Sequence, residues 1–166
     1  MAMTSCSSNS AQEKFEMKSL HLAIDDNQSY EADERTLLRM FVYMDSTICH
    51  KCMLVNTRHW EEFREFALKT QGRFSISYVI ESPTHNENLL SEYIKLLKFK
   101  NNVYFCSDSL FHSRMRMSRA YKSGQPYVFM LDKDRNFLID GNPEANPIVN
   151  RQYRRIIDSV IDVDSK

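Results

Sequence analysis

The residues able to do chemistry are two cysteines three positions apart, Cys49-His50-Lys51-Cys52. Thiols at that spacing lie about one helical turn apart on the same face, close enough to bond each other or share a metal ion. As a redox pair, one sulfur attacks as a thiolate and the other resolves the mixed disulfide that results. Cys49 stands where a helical pattern begins and is the expected attacker, because first-turn N–H groups and the positive end of the helix dipole stabilise a thiolate. Such placement lowers a thiol pKa from about 8.5 toward roughly 3.5–7.5. Cys52, one turn on and expected to be more buried, would resolve. His50 and Lys51 add positive charge when protonated, which favours the thiolate and hence the reduced form. That makes the pair a stronger oxidant, by about 30 mV for each 1.4 kcal/mol.

Zinc is the rival chemistry, with Cys49 and Cys52 as half of a tetrahedral site completed by Cys106 or by His59, His85 or His112. The chain has neither a second C-x-x-C nor an H-x-x-x-H, so no metal is expected, nor any cofactor beyond the redox-active cysteine pair itself. Cys106 follows Val103-Tyr104-Phe105 and reads as a buried small hydrophobe.

Positioning the pair falls to a strand before it and a helix after it. Leu37, Leu38, Met40, Phe41, Val42, Tyr43 and Met44 are large and apolar and end at Asp45-Ser46-Thr47, which suits a strand covered on both faces. Met53, Trp60, Phe63 and Ala67 share one helical face, and Gly72 is a suitable residue just past the end of that helix. Leu20, Leu22 and Ile24 alternate with polar residues as an earlier strand, and Phe74, Ile76, Tyr78 and Ile80 as a later one. Thr84 and Glu87 form a capping box before the apolar stripe Leu89, Leu90, Tyr93, Ile94 and Leu97. A strand over Asn102–Cys106 precedes a weaker helical pattern from Leu110 to Tyr121, whose Arg114, Arg116 and Arg119 read as a solvated surface. Tyr127–Leu131 and Phe137–Asp140 form a hairpin across Asp132–Asn136, and a helix from Pro147 closes the chain.

With 22 basic and 22 acidic residues among 166, there is no charge excess to suggest nucleic acid or an anionic membrane as partner. The composition, 42% hydrophobic and 27% charged, fits a soluble globular protein, and the alternation of strands and helices makes it a single α/β domain over residues 15–166 behind a flexible polar segment, residues 1–14. No apolar run approaches the roughly 20 residues that span a bilayer.

Strand, C-x-x-C, helix, then alternating strands and helices closed by a hairpin and a helix resembles the thioredoxin-like superfamily. From Leu37 to Val163 the order is similar to its extracytoplasmic bacterial thiol-disulfide oxidoreductase branch, of the TlpA/AhpC-TSA type. That branch carries an inserted βα unit and an aspartate-rich hairpin like Asp132-Lys133-Asp134. The resemblance implies a three-layer α/β/α sandwich with a mixed central sheet and an N-terminal β extension. It also implies a cis proline before the penultimate core strand, lying against the cysteines: here Pro126, with the backbone of Gln125 exposed to pair with a substrate strand. The implied activity is thiol–disulfide exchange on protein thiols and disulfides, with a second redox protein as partner; a thioredoxin-fold adaptor without turnover is the alternative. The implied compartment is the periplasm or cell envelope, with the cytoplasm as alternative.

Three departures qualify the match. Ile48 stands where thioredoxins usually have Trp, and His50-Lys51 replaces Gly-Pro. Tyr43 occupies the place of the buried acid, which leaves Asp45 as a nearby carboxylate in a loop. A peroxiredoxin would need Pro and Thr seven and three residues before the reactive cysteine, where this chain has Val42 and Ser46. Met3-Thr4-Ser5-Cys6 followed by a polar stretch resembles the end of a lipoprotein signal, making Cys6 a candidate lipid anchor.

Overall fold

The computed structural model describes residues 20–22, 35–55, 60–81, 87–97, 101–106, 112–113 and 118–161. The strands are β1 (Leu20–Leu22), β2 (Leu38–Met44), β3 (Phe74–Glu81), β4 (Asn102–Cys106), β5 (Tyr127–Asp132) and β6 (Phe137–Asp140). The helices are α1 (His50–Val55), α2 (Glu61–Lys69), α3 (Glu87–Leu96) and α4 (Pro147–Ile161). The six strands form one sheet in the order β1-β4-β3-β2-β5-β6. β2, β3 and β4 run parallel, while β1, β5 and β6 pair antiparallel to their neighbours.

All seven residues of β2 are buried, as expected of a central strand with both faces covered. Its even-numbered residues Leu38, Met40, Val42 and Met44 join Phe63, Leu90, Ile94, Tyr153 and Ile157 in one core, so α2, α3 and α4 cover the same face. For α2 and α3 this follows from right-handed crossovers between parallel strands that step in one direction, and α4, after the β5–β6 hairpin, packs beside them. Phe41 and Tyr43 point the other way and pack with Tyr104, Tyr127 and Phe129 beneath Ala120 and Tyr121. At α4, Asn146 caps through its side chain, accepting from the Ile148 N–H at 2.9 Å, with Pro147 in the first helical position.

Two expectations are corrected. The helix after the cysteines is not continuous: α1 ends at Val55, and Trp60 enters α2 with a left-handed φ of 65°. That backbone persists because Trp60 is buried and its N–H is held by the Glu144 carboxylate, a contact no local periodicity encodes. Second, Ser118–Tyr121 is a turn rather than the end of a helix, and Ser118 Oγ accepts the Ala120 N–H at 3.1 Å. Gly72 does take the left-handed conformation, at φ 90°, just past α2. Thr84, the segment 1–14 with Cys6, His59, His85, Arg114 and Arg116 lie outside the described residues.

Phe41 and Phe129 stack across β2 and β5 with ring centroids 5.3 Å apart, both fully buried. Phe129→Ala is expected to cost ~3–4 kcal/mol and lower the Tm by roughly 10 °C. Urea and thermal unfolding check this, and a loss under ~1 kcal/mol would contradict the packing described.

Candidate active site

Cys49 and Cys52 form a disulfide with Cα atoms 5.3 Å apart, at the end of the sheet where β2 gives way to α1. Cys49 caps α1: its carbonyl accepts the Met53 N–H at 3.1 Å, and its Sγ accepts the Cys52 N–H at 3.3 Å. The sulfur thus sits where a capping side-chain oxygen would, facing a first-turn donor. Both cysteines are exposed, which corrects the expectation that Cys52 is the more buried. α1 is only six residues long and buries Leu54, so the face carrying Cys52 is left toward solvent.

The loop leading to Cys49 is organised by Asp45, whose residue exposure is 0%. One oxygen accepts the Thr47 N–H at 3.0 Å and the Thr47 hydroxyl at 2.5 Å. The other accepts the Tyr121 hydroxyl at 2.5 Å and the Gly124 N–H at 3.3 Å. Burial pushes this carboxyl upward, but the bonds from Thr47, Tyr121 and Gly124 outweigh it and hold Asp45 below its ordinary value of 3.8. One carboxylate therefore ties the cysteine loop to the loop before β5, and Thr47 Oγ1 to Ser123 Oγ at 3.4 Å adds a second link.

The expected residues fall around this junction. His50 Nε2 lies 2.8 Å from the Asp45 carbonyl, which can only accept, so that nitrogen carries a proton. Lys51 turns aside, its ammonium 5.5 Å from the centroid of the Tyr93 ring on α3. Gln125 is exposed, and its N–H donates to the Lys122 carbonyl at 3.1 Å. No cis peptide bond occurs among the described residues, so the cis geometry expected at Pro126 is corrected to trans. The chain reversal before β5 is instead made by Gly124 at φ +77°, where an added Cβ would meet only Thr47 Oγ1 at 3.8 Å; backbone conformation, not space, demands glycine there. Tyr43 fills the position where an acid was sought and is fully buried. No group of metal-ligating side chains occurs among the described residues.

Sequence reasoning placed Asp45 in a loop without its role, and missed Tyr121 and Gly124. Asp-x-Thr at a strand end was a legible signal, since Asp accepts bonds from residues just ahead of it. Nothing local marks Tyr121, 76 residues away. A surface groove of about 480 Å³, lined in part by Arg64, Leu68, Phe74 and Asn102, lies at the opposite end of β3 and touches neither sulfur.

No protein-family model and no curated protein matches the sequence. Among solved structures, an uncharacterised thioredoxin-like protein from Porphyromonas gingivalis superposes with a TM-score of 0.53 at 13% identity, covering 76% of each chain. A protein from Bacteroides vulgatus, provisionally designated a thiol-disulfide oxidoreductase, gives 0.53 at 13% identity over 76% of this chain and 77% of that one. One from Chlorobium tepidum, provisionally designated the thiol:disulfide interchange protein DsbE, gives 0.50 at 12% identity over 75% and 83%. These likenesses establish the fold as thioredoxin-like.

Asp45→Ala, which removes the acceptor of four part-buried bonds, is expected to cost ~1–3 kcal/mol. Because the folded-state carboxyl titrates below its ordinary 3.8, its stabilisation is complete above that value and is lost as pH falls through the folded one. Acid unfolding of the wild type should show this component and Asp45→Asn should lack it; parallel pH–stability curves for the two would contradict it.

Proposed function

We propose that the chain is a thiol–disulfide oxidoreductase acting on protein thiols and disulfides. The observation that supports this best is a solvent-accessible Cys49–Cys52 disulfide on a thioredoxin-like fold, with a backbone donor on Cys49 Sγ. A substrate thiolate attacks Cys49 Sγ, the Cys49–Cys52 bond breaks, and Cys52 leaves as a thiolate that takes a proton from solvent. A second substrate thiol gives up its proton, attacks the mixed disulfide and releases Cys49. The substrate loses two electrons and two protons, and the protein's disulfide takes up the electrons. Run in reverse, Cys49 attacks and Cys52 resolves.

In this reading the Cys52 N–H stabilises the developing Cys49 thiolate, and His50 and Lys51 favour it further when protonated. The pair is then more oxidising than thioredoxin, whose potential is about −270 mV. The segment at Gln125 and Pro126 offers backbone for an extended substrate, aligned by the Asp45 link to the sulfurs. A second redox protein restores the disulfide, and the periplasm or cell envelope, where substrate disulfides persist, is the compartment. No described helix is long and apolar enough to cross a membrane. Cys6 remains the candidate for a lipid anchor.

Insulin reduction driven by a dithiol tests the activity: the wild type should turn over, Cys49→Ser should not, and Cys52→Ser should accumulate a mixed disulfide through Cys49. Absence of turnover in the wild type would leave a binding module instead. In glutathione buffers the midpoint should lie above that of thioredoxin, and a value at or below it would contradict the proposed role of the local positive charge.

A further inference from the structure

Behind the cysteine loop lies a cluster that this chemistry has not used. The Tyr43 hydroxyl donates to Glu81 Oε2 at 3.0 Å and lies 2.9 Å from His112 Nδ1. The same Glu81 oxygen accepts the Ser46 N–H at 3.3 Å, three residues before Cys49. Tyr43 has one hydroxyl proton and a carboxylate only accepts, so the His112 nitrogen must carry the other proton. The order is His112 Nδ1–H to Tyr43 Oη–H to Glu81 Oε2, which also receives the Ser46 amide. The His112 and Glu81 side chains are 9% and 17% exposed, with His112 Nδ1 3.9 Å from Glu81 Oε2. Among the described residues, the other titratable groups facing this cluster are Tyr104 and the thiol of Cys106 on β4, Tyr127 on β5 and Tyr121, whose hydroxyl is held by Asp45. Cys106 is the register neighbour of Glu81.

Every bond in this chain survives both protonation states of His112, provided Nδ1 keeps its proton. Only the net charge differs, negative when the imidazole is neutral and zero when it is an imidazolium. A thiolate on Cys49 is disfavoured by the first state and relieved by the second. Resting on the redox reading above, we propose that Glu81, Tyr43 and His112 are positioning residues that hold the start of the cysteine loop and set the Cys49–Cys52 equilibrium through the charge of the cluster.

Two variants separate charge from architecture. Glu81→Gln keeps acceptors for Tyr43 and Ser46 but removes the negative charge; His112→Gln keeps a donor to Tyr43 but removes the positive one. In glutathione buffers near pH 6, where an ordinary histidine is largely protonated, Glu81→Gln should shift the equilibrium toward the reduced protein and His112→Gln toward the oxidised. Each shift should be roughly three- to tenfold, the size of a single charge acting across a partly screened gap. A merely structural role would move both the same way or neither, and either result overturns the inference. Should a variant fail to fold, the wild type itself carries the test: by reciprocity of linked equilibria, His112 must hold its proton to higher pH in reduced than in oxidised protein. Identical NMR titrations in the two states would overturn the inference. The glutathione equilibrium exists whether or not the protein turns over insulin, so loss of the oxidoreductase reading and loss of this inference give different patterns.

Discussion

A buried carboxylate with four donors around it decides how the disulfide-bearing end of this molecule is built. Asp45 lies one residue past the central strand, and its two oxygens gather Thr47 from the cysteine loop and Tyr121 and Gly124 from the segment before β5. An unpaired carboxylate at this depth would be costly, so its four bonds act as one arrangement. Its result is that Cys49 and the backbone leading to Pro126, more than 70 residues apart in sequence, are held in one rigid corner.

That corner rests on a sheet packed on both faces. The register between β2 and β5, with Phe41 opposite Phe129 and Tyr43 opposite Tyr127, brings the start of β5 beside the end of β2. Buried strands cannot slip by one residue without moving every side chain to the wrong face. The rigidity of the core is passed on to the loops at its end. The six-residue α1 is separated from α2 by the left-handed Trp60 and is attached through Met53 and Leu54 on the core, His50 on the Asp45 carbonyl and the Lys51–Tyr93 pair. The Cys49–Cys52 disulfide, at the start of a short helix above this corner, is left accessible to solvent.

Much of this was legible beforehand. Period-two alternation in Phe74–Ile80 and the mostly apolar Leu38–Met44 were enough to place the central strands, and the order of elements gave the parallel strands. The cysteine spacing located the disulfide. What stayed hidden were contacts made at long range: the Glu144 carboxylate that breaks the helix at Trp60, the turn in which Gly124 rather than a cis proline reverses the chain, and the Tyr121 hydroxyl on Asp45. Local pattern carries information about burial and backbone preference. It carries none about which distant donor will satisfy a given carboxylate. The exposure of Cys52 was misjudged for a related reason, because the face α1 presents to the core depends on where the helix stops.

The central claim is that a single side chain couples two loops distant in sequence, and amide hydrogen exchange resolved residue by residue tests it most directly. In the wild type the amides of Thr47 and Gly124, both donors to Asp45, should be protected. In Asp45→Ala both should lose protection together, while amides of β2 and β3 remain slow at conditions well below the unfolding transition. Loss of protection at Thr47 with Gly124 unchanged would show that the two loops are held independently and would contradict the account.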